Sequence, residues 1–272
     1  MYPTLGDLFG IALALPTHDT FVGLGVLVAI AVFVIEARRR RVTDHRLLYV
    51  VTGALVGGAI VMRLGPILQH VDLRANPSLA EQWVYGNRSV LGGLFGAWLG
   101  VHIAKRVTGY RARTGDLFAP AVAIGMAIGR FGCLFTELPG SPNPLRFGPV
   151  LDEATATRLS GVAGAPLHPS FAYEIAFHAV AFVVLWQVLR HRLQVPGETL
   201  VVYLSAYGVF RFLVEFTRGD EVAWAGLDRS QLFLLVTVPF LLARIAWQWR
   251  RGAYALAPRH TATAPDLAGS LR

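Results

Sequence analysis

Apolar residues in this chain run in long, nearly unbroken windows, without the two- or 3.6-residue alternation of a half-exposed soluble element. Seven such windows fall near residues 21–35, 47–68, 90–104, 117–135, 171–189, 199–216 and 231–249. A helix needs ~17–25 apolar residues to cross about 30 Å of hydrocarbon, so each window reads as a membrane helix. Glycines recur inside them (Gly53, Gly57, Gly58; Gly92, Gly93, Gly96, Gly100; Gly125, Gly129, Gly132), which lets helix backbones approach closely in lipid. No period of 20–50 residues repeats, which argues against a solenoid or an obvious inverted-repeat transporter. The expected fold is an all-α polytopic membrane protein of about seven transmembrane helices. Residues 1–257 would form one domain, and 258–272, rich in Ala, Pro and Thr, a disordered cytoplasmic tail.

Composition supports this reading. Of 272 residues, 54% are hydrophobic and 15% charged, against about 25% charged in soluble proteins. The net charge of +8 would suit nucleic acid, but its distribution points elsewhere. Fifteen Lys and Arg residues lie in the loops after the first, third, fifth and seventh windows, and six in the intervening loops. The positive-inside rule therefore places the N-terminus outside and the C-terminus in the cytoplasm. Arg38–Arg41 follow the first apolar run instead of preceding it, so that run reads as a retained anchor and not a cleaved signal. The longest outer loop, about 136–167, carries five prolines and is a candidate functional loop. The single Cys133 argues against an internal disulfide and a Cys-based zinc site. His102, His178 and His191 lack ligand spacing, so no metal and no cofactor is expected.

Four arginines fall inside apolar windows: Arg63, Arg130, Arg211 and Arg244. Arg244 lies near the cytoplasmic end of its window, where snorkelling accounts for it. The other three come roughly 12–16 residues into helices running outwards, or about 20–24 Å at 1.5 Å per residue. An arginine at such depth costs at least ~2.5 kcal/mol, so three at one level suggest a shared anionic partner. Guanidinium forks facing a lipid-accessible cleft would clamp a phosphate, and lipid headgroups are the phosphates within reach. Interhelical ion pairs with Glu137, Glu174 or Glu215 are the alternative.

Three runs carry candidate chemistry. Tyr207, Arg211 and Glu215 are spaced i, i+4, i+8 and share a helix face. Gly129-Arg130-Phe131-Gly132-Cys133 brackets Arg130 with glycines. Cys133 itself reads as a small packing residue without a nearby base. His168-Pro169-Ser170-Phe171-Ala172-Tyr173-Glu174 suits a helix entrance, with Pro169 at the first turn. The runs Gly-Arg-Phe-Gly-Cys (129–133), His-Pro-Ser-x-x-Tyr-Glu (168–174) and Tyr-Gly-x-x-Arg-Phe-x-x-Glu-Phe-x-Arg (207–218) resemble the prolipoprotein diacylglyceryl transferase family. Arg63-Leu64-Gly65 and Gly92-Gly93-Leu94 add to the likeness more weakly, and it extends over roughly residues 20–250.

The resemblance implies an enzyme that moves the diacylglyceryl group of phosphatidylglycerol onto the lipobox cysteine thiol of a prolipoprotein and releases glycerol phosphate. It implies the bacterial inner membrane, with the active site facing the periplasmic leaflet. The family's phosphatidylglycerol-binding arginine falls on Arg130, and its essential tyrosine, arginine and late glutamate fall on Tyr207, Arg211 and Glu215. Arg63 would assist in phosphate binding, with Glu137, His168, Tyr173, Glu174, Gly92 and Gly93 in support. Two departures stand out: Leu91 occupies the place of a family histidine that is a proposed thiol base, and Cys133 that of a usual asparagine. A base would then be sought among Glu215, Glu137, His168 and Tyr207. A different acceptor on the same fold, or a lipid-binding or transport component, are the alternatives.

Overall fold

The computed structural model of the protein describes residues 1–69, 89–193, 195–252 and 254. The loop arginines Arg74 and Arg88 and the expected 258–272 tail lie outside the described residues. Among the described residues every regular element is a helix. They are α1 (Leu5–Phe9), α2 (Thr17–Arg39), α3 (Arg46–Gln69), α4 (Val90–Thr108), α5 (Gly115–Thr136) and α6 (Glu153–Leu159), followed by α7 (Ser170–Val184), α8 (Glu198–Glu215) and α9 (Arg229–Arg250). A π-helical turn, Leu185–Leu189, and the short Arg190–Arg192 helix continue α7.

Capping residues set several boundaries. Ser89 Oγ accepts from the Gly92 N–H to start α4, and Gly109 closes it at φ +67°. Asp228 and Gln231 form a reciprocal capping box that starts α9. Each of the seven apolar windows coincides with a helix. Five helical stretches are long and apolar enough to cross a membrane: Thr17–Arg39, Arg46–Leu64, Gly115–Thr136, Ser170–Arg192 and Arg229–Arg250. The other two windows form helices of 19 and 18 residues. α8 is less apolar because it carries Glu198, Arg211 and Glu215.

α5 lies at the centre: half of its apolar window is buried, against 11–28% in the other four. Its inward face shows why. Ala119, Ala123 and Ala127 recur every four residues, all buried, and this small-residue stripe runs on to Arg130. Small side chains let α2, α7 and α8 close around α5. Glycines do the same between pairs: a Cβ on Gly25 would stand 2.6 Å from the Gly125 carbonyl oxygen. Between α3 and α4, a Cβ on Gly57 would stand 2.3 Å from the Gly96 oxygen, and one on Gly100 only 1.9 Å from the Gly53 oxygen.

One expectation is corrected here. Arg244 does not simply snorkel: it pairs with the fully buried Glu198, which also accepts from Gln248 Nε2 at 3.1 Å and the Tyr254 hydroxyl at 2.9 Å. The 136–167 stretch, the candidate functional loop, has internal structure. Asp152 caps α6, and Leu151, Ala156 and Leu167 bury one another with Leu138 and Met1. Ser141 N–H donates to the Thr217 carbonyl at 2.9 Å, and Ser170 Oγ lies 2.8 Å from Thr217 Oγ1. These bonds strap the loop and the start of α7 to the end of α8.

Replacing Gly100 by Leu should force α3 and α4 apart at a cost of about 1–3 kcal/mol, the usual overpacking penalty. The melting midpoint in detergent should fall for Gly100→Leu and stay unchanged for Gly23→Ala, whose added methyl meets nothing within 4 Å.

Candidate active site

Tyr207, Arg211 and Glu215 do share one face of α8, and all three are buried. Across from them, α7 presents Glu174, fully buried, and α5 presents Arg130. Glu174 is the hub. Arg130 Nη2 stands 2.6 Å from its Oε2, Arg211 Nη1 donates to Oε1 at 2.7 Å, and Arg218 Nη1 lies 3.5 Å from Oε1. Tyr207 donates its hydroxyl hydrogen to Glu174 Oε2 at 3.3 Å. Arg211 Nη2 also contacts Glu215, at 3.0 Å from Oε1 and 2.6 Å from Oε2.

Aromatic rings wall this group. Phe171, beside the Ser170 strap, places its ring 5.9 Å from the Arg130 guanidinium carbon and 4.7 Å from that of Arg218. Below Tyr207 lies buried His178, 4.6 Å away ring to ring, with its Nδ1 2.9 Å from the Tyr203 hydroxyl.

Hydrogen bonding leaves this cluster incomplete. The buried guanidiniums of Arg130 and Arg211 are matched in charge by the buried carboxylates of Glu174 and Glu215, and the partly exposed Arg218 has Asp220 at 3.2 Å. Arg130 Nε and Arg211 Nε are buried donors without a hydrogen-bond acceptor among the described residues. Such donors are costly unless something accepts from them. An anion with several oxygens, such as a phosphodiester, can accept from both.

An apolar cleft of about 600 Å³ opens along the outer side of the α7–α8 seam, lined among others by Tyr173, Phe177, Val180, Leu185, Leu189, Tyr203, Ala206 and Phe210. From Tyr173 to Leu189 it follows α7 for about 24 Å at helical rise, most of the ~30 Å hydrocarbon core. Val180 on its wall is exposed, so the cleft opens sideways. Its upper end, Tyr173, directly precedes Glu174.

Other expected site residues lie apart from the hub. Arg63 is on α3, at the end where Ser89 N–H donates to the Met62 carbonyl at 2.9 Å, and the ion pairs of Glu174 are instead with Arg130, Arg211 and Arg218. Gly92 and Gly93 occupy that same α3–α4 junction. A Cβ on Gly92 would stand 2.9 Å from the Val61 carbonyl oxygen, so close packing accounts for it. His168 Nδ1 lies 3.4 Å from the Tyr173 hydroxyl, at the start of α7.

Glu137 lies instead with two residues that sequence spacing did not link to it. His18 Nε2, at the start of α2, is 3.5 Å from Glu137 Oε1 and 3.7 Å from Cys133 Sγ, so Cys133 does have a histidine beside it. Arg130 Nη1 lies 3.8 Å from the same sulfur. Arg218 was not among the expected site residues, although it ends the 207–218 run, and that position in the motif was the signal available for it. His18 offered none, being 115 residues from Cys133.

A family description, prolipoprotein diacylglyceryl transferase, matches residues 7–249. Proteins named phosphatidylglycerol–prolipoprotein diacylglyceryl transferase are among the relatives. The one from Pseudomonas paraeruginosa is 34% identical, covering 75% of this chain and 76% of the relative. That from Pseudomonas putida is also 34% identical over 72% of each, and that from Bordetella bronchiseptica 29% identical over 81% of this chain and 86% of its own. With its helical membrane architecture and these matches along most of its length, the chain belongs to the prolipoprotein diacylglyceryl transferase family of enzymes.

Proposed function

We propose that this enzyme moves the diacylglyceryl group of phosphatidylglycerol to the lipobox cysteine thiol of a prolipoprotein and releases glycerol phosphate. The observation that carries the reading is the pair of unmatched Nε–H donors of Arg130 and Arg211 beside a sideways-opening apolar cleft. The phosphodiester docks on the two guanidiniums, and an acyl chain lies along the α7–α8 seam. The chain crosses the inner membrane seven times with its N-terminus outside, so the cluster faces the periplasmic leaflet. α4 and α8 supply the two crossings beyond the five apolar spans, and the charges that make α8 less apolar are those of the site.

The thiolate sulfur attacks the glycerol carbon bearing the phosphate. A sulfur–carbon bond forms, the carbon–oxygen bond to phosphate breaks, and its electron pair leaves with glycerol phosphate. Negative charge grows on the leaving phosphate, where preorganised guanidiniums in a water-poor site stabilise it most. Glu174 holds the Arg130 and Arg211 forks in register, and Glu215 orients Arg211 from its own helix. Tyr207 is fixed by its bond to Glu174 and closes the inner wall. Glu215 is engaged by Arg211 through both oxygens, which leaves it poorly placed as the base. Leu91 in place of the family histidine favours a second reading, the same lipid donor with another acceptor.

Purified protein incubated with phosphatidylglycerol and a lipobox peptide should release glycerol phosphate and increase the peptide's mass by one diacylglyceryl group. An unmodified peptide alongside another alkylated thiol or alcohol would establish the second reading, and no glycerol phosphate release would remove both. Arg130→Lys keeps the charge but loses the fork, so transfer should fall by roughly two orders of magnitude with folded yield retained. Near-normal transfer would count against the clamp. Ala206→Trp should fill the cleft and slow transfer from long-chain phosphatidylglycerol more than from a short-chain analogue, read as the ratio of the two rates.

A further inference from the structure

Beside the arginine cluster, three electron-rich atoms converge from two helices. His18 Nε2, Cys133 Sγ and Glu137 Oε1 lie within 4.8 Å of one another. His18 Nδ1 is 3.3 Å from Asp19 Oδ1. The imidazole thus has a carboxylate on each side, with the Cys133 sulfur 3.7 Å from Nε2.

The distances decide what belongs between them. At 3.5 Å, Nε2 to Oε1 exceeds the 2.7–3.2 Å range of an N–H···O bond. Metal–ligand bonds of about 2.0–2.1 Å to nitrogen or oxygen and about 2.3 Å to sulfur give tetrahedral edges of roughly 3.3–3.6 Å. The observed 3.5 and 3.7 Å are close to those edges. Asp19 on Nδ1 is the outer carboxylate that orients and strengthens a histidine ligand. A divalent ion with one thiolate and one carboxylate is neutral overall, so Arg130, 3.8 Å from the sulfur, meets no added positive charge. Cys133 is buried, whereas His18 and Glu137 keep 29% and 43% of their side-chain surface exposed, so one side stays open.

We propose that His18, Cys133 and Glu137 form a three-ligand site for a thiophilic divalent cation of the zinc type. On the transferase reading above, its open fourth position takes the acceptor thiol as a thiolate. Coordination sends the thiol proton to solvent. The bound sulfur then forms its bond to the glycerol carbon as the carbon–oxygen bond breaks, and the electron pair departs on glycerol phosphate at Arg130 and Arg211. The resulting thioether carries no charge, binds a hard-soft borderline cation weakly and leaves. The site supplies thiol activation where Leu91 removes the family histidine.

The test is metal content of the full chain purified in detergent without chelator, with thiolate-to-metal absorption after cobalt(II) replacement. Roughly one ion per chain is expected. Occupancy should fall by about tenfold or more in His18→Ala, Cys133→Ser and the isosteric Glu137→Gln, with melting midpoints showing that each is folded. Stripping the ion should abolish transfer while leaving phosphatidylglycerol binding unchanged, and added zinc should restore it. Less than about 0.1 ion per chain after incubation with excess zinc would overturn the site. Occupancy unchanged in all three variants would overturn it equally. Full transfer by stripped protein would overturn the thiolate role. Loss of transfer in His18→Ala from a metal-free wild type would mean an imidazolium–carboxylate pair instead. If the wild type transfers to no thiol, the transferase reading fails, while metal content still decides the site.

Discussion

One carboxylate holds the site together. Glu174 gathers guanidiniums from α5, α8 and the segment following α8, and does so where water is excluded. In such surroundings, removing one partner of a buried ion pair typically costs about 3–5 kcal/mol, because the remaining charge has no solvent to return to. The helices that carry these residues are therefore fixed in height and rotation relative to one another by electrostatics as well as by packing. The alanine stripe of α5 makes the close approach possible, and Glu174 determines which residues meet once the helices are close.

The rim of the site depends on a second set of bonds. Ser141 and Ser170 tie the 136–167 loop and the start of α7 to Thr217, one residue before Arg218. Phe171 follows directly and lies against both Arg130 and Arg218. The loop thus helps place the last arginine of the cluster, and its own buried trio of Leu151, Ala156 and Leu167 gives it the stiffness to do so. The π-helical turn at Leu185–Leu189 plays a related part at the other end of α7. It contributes Leu185 and Leu189 to the cleft and sets Arg190 over Trp186 at 4.0 Å.

Much of this was legible in the chain itself. Long apolar windows located the helices because span length is dictated by the bilayer. The i, i+4, i+8 spacing of Tyr207, Arg211 and Glu215 placed them on one face because helix geometry leaves no other arrangement. What escaped were contacts between helices. Arg63 stands about as far along its helix as Arg130 and Arg211 do along theirs, but position along a helix says nothing of azimuth, and it lies on the α3–α4 side. Arg218 took its place because α8 ends at Glu215 and the chain then folds back over Glu174. Glu174 was in view as a supporting residue, yet its role as the shared partner depends on three elements converging. His18 and Cys133 could not be linked from spacing, since tertiary packing alone brings α2 to the end of α5.

Buried donors left without an acceptor have a consequence beyond catalysis. A fold that closes around them is more stable when an acceptor from outside fills the gap, by mass action on the folded state alone. A headgroup oxygen settling against Arg130 and Arg211 would then brace the bundle as well as dock a substrate. The supply of such lipid in the surrounding bilayer would set how firmly the helices hold together.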